Sequence, residues 1–304
     1  MQTDLHRCEL CPRRCGADRY ASVGFCGVPA AIRAARAMLH HWEEPPVSGT
    51  RGSGAIFFSG CPLRCVFCQN HSLSHEGFGA EITPERLAGI MLELQKAGAH
   101  NVNLVSPTQY LPGILEALQL AKPHLTVPVV YNTGGYERVE AIRALEGYVD
   151  VYLTDLKYCS PELSARYAAA PDYFERAMEA LSAMVASVGP CVFDEDGLLR
   201  RGVILRHLVL PGCRHDSIAL LRAVAERVDI SAIKLSLMSQ YTPDFAPEGE
   251  KNLRRRLTTF EYQSVLSEAD RLGYDGYRQE FTSSDKKYTP DFRLQGITGK
   301  MEDL

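Results

Sequence analysis

Residues 55–70 read AIFFSGCPLRCVFCQN, a short apolar run that leads directly into a loop with three closely spaced cysteines. The apolar part, residues 55–59, predicts a buried β-strand. Cys61, Cys65 and Cys68 follow it with the spacing C-x3-C-x2-C. Three thiolates on one loop can hold three corners of a four-iron cluster, which leaves the fourth iron open to another ligand.

An aromatic residue, Phe67, stands just before the third cysteine of this loop. The alternative interpretation of the three cysteines is a zinc site that His71 or His75 completes. Structural zinc prefers a closed set of four ligands in close pairs, so this spacing favours the iron cluster.

Short apolar runs continue to alternate with helical segments after the cysteine loop. The predicted strands are residues 55–59, 101–105, 127–131, 149–154, 203–209 and 233–237. The predicted helices are residues 84–98, 111–121, 137–145, 161–188, 216–228 and 258–272. Apolar strands separated by helices are typical of a parallel sheet buried on both faces. Because six units are too few for a closed eight-fold barrel, we expect an α/β fold, a partial (open) six-stranded parallel β/α barrel with its site at the C-terminal strand ends.

The composition divides the chain into three predicted parts. Residues 1–50 form a cysteine-rich, metal-binding segment with a linker, residues 51–280 form the partial barrel, and residues 281–304 form a tail. Within the first part, the alanine-rich residues 29–40 predict a short helix. The sequence HHWEE at residues 40–44 either lines the open side of the barrel or forms an amphipathic linker that packs its tryptophan on the sheet.

Length, composition and charge exclude several classes of protein. The chain has 304 residues, of which 45% are hydrophobic, so disorder is excluded as its main state. The net charge of −4 disfavours general nucleic-acid binding. No apolar run approaches the roughly 18 residues of a membrane span, and the N-terminus lacks an apolar signal core. We therefore expect a cytoplasmic protein that binds neither nucleic acid nor membrane.

A second group of cysteines lies near the N-terminus. Cys8, Cys11, Cys15 and Cys26 have the spacing C-x2-C-x3-C-x10-C. In a reducing compartment such thiols more often bind metal than form disulfides. Four thiolates can close a zinc site or hold a complete four-iron cluster. The spacing predicts a second metal and leaves zinc, an iron–sulfur cluster or no metal open.

Polar residues follow the predicted ends of the later strands. In chain order they are Ser106, Thr108, Asn132, Thr133, Asp155, Lys157, Arg206 and Gln240. Each alone can be a loop-forming or capping residue. Charged groups at strand ends inside a barrel are costly unless they are paired or used, so the whole set predicts a site for a zwitterionic ligand.

The chain from about residue 42 to residue 279 resembles the radical S-adenosylmethionine (SAM) superfamily. Within that superfamily it resembles the pyruvate formate-lyase activating enzyme-like proteins of the PflX type. The segments that carry the resemblance are EEPP, GSGAIFFSGCPLRCVFCQN, NLVSPTQYLPGILEAL, PVVYNTGGYE, VDVYLTDLKY, RHLVLPG and MSQY.

This resemblance implies that Cys61, Cys65 and Cys68 hold a [4Fe–4S] cluster whose open iron binds SAM. One electron then cleaves SAM, and the resulting 5′-deoxyadenosyl radical takes hydrogen from a substrate. The resemblance also implies a reductant such as flavodoxin or ferredoxin and a protein, peptide or small-molecule substrate, with activation of a glycyl-radical enzyme as one role. The residues expected in or beside the SAM pocket are Phe67, Ser106, Thr108, Asn132, Thr133, Asp155, Lys157, Arg206 and Gln240.

The chain departs from the family pattern at two places. The Gly-Gly-Glu that usually follows the second strand is replaced by Ser106-Pro107-Thr108. Activating enzymes use an Asp-Thr pair and a further aspartate to hold a monovalent cation near SAM. Here Asn132 stands in place of the first aspartate, so a cation would bind more weakly or not at all.

The alternative function is a non-catalytic iron–sulfur or zinc-binding module that senses redox state or assists assembly. Such a module needs no set of polar residues at the strand ends. The sequence therefore favours an enzyme.

Overall fold

The computed structural model describes residues 4–279 and 291–299, and a single large sheet organises them. The strands are β1 (Ile32–His40), β2 (Ser53–Phe58), β3 (Ala80–Ile82), β4 (Val102–Val105), β5 (Val129–Thr133), β6 (Val151–Asp155), β7 (Val192–Phe193), β8 (Leu199–Leu208), β9 (Ile233–Met238) and β10 (Gly276–Arg278). Their order in the sheet is β10-β9-β8-β6-β5-β4-β2-β1-β3, with β7 paired to β8.

The sheet is parallel from β2 through β4, β5, β6, β8 and β9 to β10. The antiparallel strands β1 and β3 extend it beyond β2. The six predicted strands correspond to β2, β4, β5, β6, β8 and β9, which confirms the α/β fold and the partial barrel. The short strand β10 adds a seventh parallel strand.

Helices follow most of the parallel strands. They are α1 (Pro45–Ser48), α2 (His71–Ser74), α3 (Pro84–Lys96), α4 (Leu111–Ala121), α5 (Val139–Ala144), α6 (Pro161–Ala168), α7 (Tyr173–Val188), α8 (Arg214–Arg227) and α9 (Thr259–Leu272), with 3-10 turns at Thr108–Tyr110 and Ile230–Ala232. Local signals set the ends of α9: Thr258 and Glu261 form a capping box, and Gly273 ends the helix in the left-handed conformation. None of the helices within the described residues is long and apolar enough to cross a membrane.

Two predicted helices are wrong. The single helix predicted over residues 161–188 is broken into α6 and α7, because Ala169 turns left-handed with φ 49° and Pro171 follows it. The helix predicted over residues 29–40 is the strand β1, which pairs with both β2 and β3. Alanine favours a helix in isolation, but pairing along two sheet edges outweighs that local preference.

The predicted division into three parts is not decided by these elements. β1 lies within residues 1–50 and belongs to the sheet. The cysteine-rich residues precede β1 and pack against the barrel. The described part of the tail lies along β1: Leu294 donates its N–H to the Ala35 carbonyl, and Ala37 donates to Gln295, both at 2.9 Å. The rest of the tail lies outside the described residues.

Alternation along the strands separates the core from the site. Val130, Leu153 and Ile204 on β5, β6 and β8 belong to one buried apolar cluster. Side chains two residues further along a strand point to the same face. Those positions are Asn132, Asp155 and Arg206, so the apolar floor is followed directly by polar groups at the C-terminal strand ends.

Candidate active site

A cavity of about 1110 Å³ opens at the C-terminal ends of the parallel strands. Eleven of the residues predicted for the site line it: Cys61, Cys65, Cys68, Phe67, Ser106, Asn132, Thr133, Asp155, Lys157, Arg206 and Gln240. Thr108 does not contact the main cavity and lies in a small adjoining pocket with Thr133. The structure thus brings the strand-end residues together in one place.

The loop after β2 turns its three cysteines toward one another. Gly60 has φ 79° and Arg64 has φ 48°, and these left-handed residues curl the chain into a compact loop. The Cys68 N–H donates to the Cys65 carbonyl at 3.0 Å. Burial, together with the neighbouring thiol of Cys65, raises the pKa of Cys61 to about 11.

Two groups from other elements reach the sulfur of Cys65. The Tyr158 hydroxyl donates to Cys65 Sγ at 3.6 Å. Burial raises the pKa of Cys65, and the positive charge of Lys157 opposes this effect. Lys157 acts in the same direction on Cys61 and Cys68. One cation therefore favours the thiolate form of all three cysteines.

The charged residues at the strand ends form a single network. Arg206 donates from Nε to Asp155 Oδ1 at 2.8 Å and from Nη2 to Asn132 Oδ1 at 2.6 Å. Lys157 pairs with Asp155 Oδ2. Burial would raise the pKa of Asp155, but Arg206 and Lys157 outweigh it and hold that pKa below its usual value. We call Asn132, Asp155, Lys157 and Arg206 the strand-end wall.

The other side of the cavity is built by the end of β1 and the residues after it. His40, His41, Trp42, Glu43 and Glu44 all line the cavity, and we call them the β1 wall. This is the first of the two alternatives for HHWEE. The side chain of Trp42 remains 51% exposed.

Glu43 joins the two walls. Its Oε2 accepts from Arg206 Nη1 at 3.3 Å, and its Oε1 accepts from the side-chain amides of Asn103 and Asn132 at 3.1 and 3.2 Å. The next residue, Glu44, is also buried, and its Oε2 has no hydrogen-bond partner. Burial raises the pKa of Glu44 to about 7, although the positive charge of Arg206 acts to lower it.

A buried carboxyl group stands behind the strand-end wall. Glu137 is 1% exposed, and its Oε1 accepts from the hydroxyl of Thr133 at 2.5 Å and from that of Thr108. Burial raises its pKa to about 7. Thr108 therefore positions Glu137 and Thr133 rather than facing the main cavity.

The remaining predicted residues are fixed by local contacts. Ser106 takes a left-handed conformation with φ 58°, and its N–H donates to the Asn132 carbonyl at 2.8 Å. Phe67 packs edge-on against Tyr241 at 5.8 Å between ring centroids. The Gln240 carbonyl accepts from Gln69 on the cysteine loop at 2.8 Å.

The cysteine loop offers a donor set that fits a four-iron cluster. Each cysteine of a cubic cluster binds a different iron. Cys65 is buried, Cys61 and Cys68 are half-buried, and all three line one large cavity together with Lys157. Within residues 4–279 and 291–299, no three His, Cys, Asp or Glu side chains are grouped so that they could hold a single metal ion.

Sequence reasoning misses two residues of this region, Glu137 and Tyr158. A carboxylate four residues after Thr133 and a tyrosine next to Lys157 are nevertheless visible in the sequence. Their contacts join elements far apart in the chain, which local spacing does not reveal.

Comparison with known proteins agrees with this geometry. The model of the radical SAM superfamily matches residues 55–195. An uncharacterized protein of Methanocaldococcus jannaschii, MJ0674, is 30% identical over 280 residues, which cover 88% of this chain and 75% of that protein.

A solved structure shares the fold at low sequence identity. SuiB of Streptococcus suis, solved with its precursor peptide SuiA, has a TM-score of 0.50 and 14% identity over 73% of this chain. The match covers 48% of SuiB, so the chain spans about half the length of that structure. Methylornithine synthase (PylB) has a TM-score of 0.46 and 19% identity over 68% of this chain and 58% of that one.

The family match begins at the strand before the cysteine loop, and the partial barrel that follows is the fold of this family. The relative extends the similarity to most of the chain. The chain belongs to the radical SAM superfamily of enzymes.

Proposed function

We propose that this radical SAM enzyme works in the cavity between the strand-end wall and the β1 wall, on a substrate that enters beside SAM. The observation that supports this most strongly is that the three thiols and the paired strand-end charges face one cavity of about 1110 Å³. A site for one drug-sized ligand is roughly 300–1,000 Å³. The cavity is therefore large enough for SAM and part of a second molecule.

In this proposal Cys61, Cys65 and Cys68 hold the [4Fe–4S] cluster. When bound, the cluster and SAM together supply a 5′-deoxyadenosyl radical that abstracts hydrogen. Lys157 favours the thiolate form of the ligands, and the Tyr158 hydroxyl orients the Cys65 sulfur. The protein contributes position and exclusion of water.

The strand-end wall is the proposed SAM pocket. Arg206 presents a forked donor suited to a carboxylate, and Asp155 and Asn132 offer oxygens to ammonium or hydroxyl groups. Phe67, Ser106, Thr133 and Gln240 form its edges, and Thr108 supports Thr133 from behind through Glu137. Apart from Thr108, these residues are assigned to the pocket because they line one cavity and because they match the family's pattern.

The charged residues of the cavity suit a zwitterionic ligand. Three acidic residues, Glu43, Glu44 and Asp155, line it together with three basic residues, Lys157, Arg206 and Arg278. SAM carries a sulfonium, an ammonium and a carboxylate group, so it presents charges of both signs to such a lining.

A monovalent cation remains a weaker proposal. Asn132 Oδ1 accepts from Arg206, and the Thr133 hydroxyl donates to Glu137. Both side chains would have to release these partners to bind a cation.

The proposed reductant is a low-potential electron donor, flavodoxin or ferredoxin, in the cytoplasm. The proposed substrate is a protein, a peptide or a small molecule. Activation of a glycyl-radical enzyme is one form of this function, because a protein loop could enter between the β1 wall and β10, where the sheet does not close. A second metal, zinc or iron–sulfur, is proposed at Cys8, Cys11, Cys15 and Cys26.

The test is anaerobic reconstitution with iron and sulfide, followed by an assay for 5′-deoxyadenosine. Replacing Cys61, Cys65 and Cys68 with alanine is expected to abolish its formation. The matched control replaces Cys159, Cys191 and Cys213, which lie outside the cavity, and should retain activity. Undiminished SAM cleavage in the first variant would refute the site and favour a non-catalytic metal module.

A further inference from the structure

Tyr158 directs its hydroxyl group at a sulfur of the cysteine loop. The side chain of Tyr158 is 1% exposed, and its hydroxyl donates to Cys65 Sγ at 3.6 Å. In the part of the chain that the structure describes, this sulfur is the one hydrogen-bond partner of that hydroxyl. Burying a hydroxyl costs free energy unless the group is bonded, so the contact with Cys65 is what offsets the burial.

The packing of aromatic rings fixes the direction of this hydroxyl. The ring of Tyr158 meets that of Tyr173 edge-on, with 5.5 Å between their centroids, and lies 6.2 Å from that of Tyr167. Tyr167 in turn packs edge-on against Phe67 of the cysteine loop at 6.2 Å. Close-packed rings of this kind have little freedom to change rotamer. The hydroxyl is therefore held toward Cys65 by its surroundings.

The two neighbouring tyrosines use their hydroxyl groups differently. The hydroxyl of Tyr173 bonds to backbone groups at 2.8 to 3.1 Å, which ties the ends of two strands together. The hydroxyl of Tyr167 lies near the carboxylate of Glu250. Of these three rings, Tyr158 is the one whose hydroxyl contacts a cysteine of the loop. Support of the backbone accounts for Tyr173 but not for a hydroxyl that faces sulfur.

The strength of this hydrogen bond depends on the charge of the sulfur. A phenol has a pKa of about 10, so the hydroxyl keeps its proton at neutral pH. A thiol sulfur is a weak acceptor, whereas hydrogen bonds to ionised acceptors are roughly twice as strong as neutral ones. A cysteine that ligates iron is a thiolate, and reduction makes an iron–sulfur cluster more negative. A donor that faces Cys65 Sγ therefore stabilises the reduced state more than the oxidised state.

The donor to Cys65 differs in origin from the donor to Cys61. Cys61 Sγ accepts the N–H of Leu63, within its own loop, at 3.4 Å. Such a backbone donor is present whatever the side chain of that residue. Tyr158 belongs instead to the segment after β6 and lies 93 positions from Cys65. The contact with Cys65 is thus set by one side chain, and hydrogen bonds to the sulfurs are among the features that set cluster potentials.

We propose that Tyr158 is a positioning residue that raises the reduction potential of the iron–sulfur cluster through its hydrogen bond to Cys65. This inference rests on the proposed function of the cysteine loop. A one-electron donor of the flavodoxin or ferredoxin class loses one electron, and the cluster gains it. The phenol proton stays on Tyr158, and no covalent bond forms or breaks. The hydroxyl therefore makes the cluster easier for such a donor to reduce.

The first experiment measures the potential in Tyr158→Phe, which removes the hydroxyl and keeps the ring. Wild type and variant are reconstituted anaerobically, and the reduced cluster is titrated by electron paramagnetic resonance. The signal of the loop is the one that is lost when Cys61, Cys65 and Cys68 are replaced by alanine. We expect equal iron and sulfide contents and a fall of about tenfold in the equilibrium constant for reduction, which is about 59 mV for one electron. Equal potentials would overturn the proposal.

Tyr167→Phe is the matched control for this measurement. It removes the same atom from a ring that packs against both Tyr158 and Phe67. Its potential should equal that of the wild type, because its hydroxyl does not contact sulfur. A fall of the same size in both variants would assign the effect to ring packing and overturn the role of the hydrogen bond.

The second experiment detects the hydrogen bond itself. In heavy water the phenol proton exchanges for deuterium, and electron–nuclear double resonance of the reduced cluster detects nearby deuterons. We expect one deuteron coupling of the wild type to be missing in Tyr158→Phe and present in Tyr167→Phe. Identical spectra for the wild type and Tyr158→Phe would overturn the contact.

The third experiment separates this inference from the proposed function. The rate of 5′-deoxyadenosine formation driven by reduced flavodoxin should fall about tenfold in Tyr158→Phe, as the equilibrium constant does. Excess titanium(III) citrate, a stronger reductant, should restore the rate. Loss of the rate with both reductants would show a structural role and overturn the proposal. A wild type that binds the cluster but does not cleave SAM would refute the proposed function, and the two potentials would still decide the role of Tyr158.

Discussion

The two walls of the cavity are built in different ways. The strand-end wall lies near the C-terminal ends of parallel strands, where Asn132 and Asp155 both accept hydrogen bonds from Arg206. The β1 wall belongs to an antiparallel strand and the residues after it, and it holds a carboxyl oxygen of Glu44 without a hydrogen-bond partner. Paired charges keep a pocket in shape before a ligand arrives, whereas an unpaired buried carboxyl group can respond to one. Under the proposed function, this difference predicts that one wall positions SAM and that the other responds to a ligand's charge.

The largest expected effect comes from breaking the network that joins the walls. Arg206→Ala leaves Asp155 and Glu43 without their shared cation, so we expect a loss of about 3–5 kcal/mol in the free energy of unfolding. SAM affinity should fall by about tenfold or more, as for one lost charge-assisted hydrogen bond. Chemical denaturation and calorimetric titration of the reconstituted protein measure the two effects.

Arg206→Lys is the control for this prediction. Lysine keeps the positive charge but lacks the paired donors of the guanidinium group. Arg206→Lys should therefore restore most of the free energy of unfolding and little of the SAM affinity. Wild-type affinity in Arg206→Ala with an intact cluster would place Arg206 outside the pocket.

A smaller effect is expected behind the strand-end wall. In the folded protein the pKa of Glu137 is about 7, whereas in the unfolded chain it has its ordinary value of 4.5. The folded state therefore binds more protons between these values, and the stability this group contributes is full below pH 4.5 and is lost as the pH rises through 7. Between pH 6 and 8 the free energy of unfolding should fall by about 1.4 kcal/mol from this cause.

Glu137→Gln removes this titration and keeps an oxygen that accepts from Thr108 and Thr133. Its denaturation midpoint should depend less on pH than that of the wild type over the same window. Parallel pH profiles for the two proteins would show that Glu137 is already ionised in the folded state.

The difference between the walls also explains what the sequence could predict. Because side chains alternate with period two, Asp155 follows Leu153 on one face of its strand and Arg206 follows Ile204. A strand end and its polar residue can therefore be predicted from the sequence of that strand alone. The alanine-rich composition of β1 predicts a helix, whereas its place in the sheet depends on pairing with β2 and β3. The helical spacing of apolar residues continues on both sides of Ala169, so the sequence pattern does not reveal the break between α6 and α7. The contacts of Glu43 with Arg206 and of Tyr158 with Cys65 cross 163 and 93 positions, which no local pattern encodes.

The next prediction concerns the response of the β1 wall. With a pKa of about 7, Glu44 changes from mostly protonated to mostly ionised between pH 6 and 8. If a cationic ligand binds only the ionised form, its affinity should rise by about tenfold over that range. Calorimetric titration with SAM at several pH values measures the slope.

Glu44→Gln should remove this slope and bind SAM with an affinity close to that of the wild type at the lower pH. A slope that persists in the variant would assign the pH dependence to another group, and a flat profile in the wild type would show that SAM does not contact Glu44. In the second case the substrate, rather than SAM, remains the ligand expected at this wall.

The smallest effect on stability is expected at Trp42, on the rim of the β1 wall. Because its side chain is 51% exposed, Trp42→Ala should change the free energy of unfolding by no more than about 0.5 kcal/mol. An aromatic ring at the rim of a cavity can still cover a bound molecule, so the KM for the substrate should rise while SAM cleavage in its absence stays unchanged. Phe260, which is 68% exposed on α9 and does not line the cavity, provides the matched control as Phe260→Ala. A fall in substrate-free SAM cleavage in Trp42→Ala would place Trp42 against SAM, and equal KM values in both variants would leave the rim without a part in substrate binding.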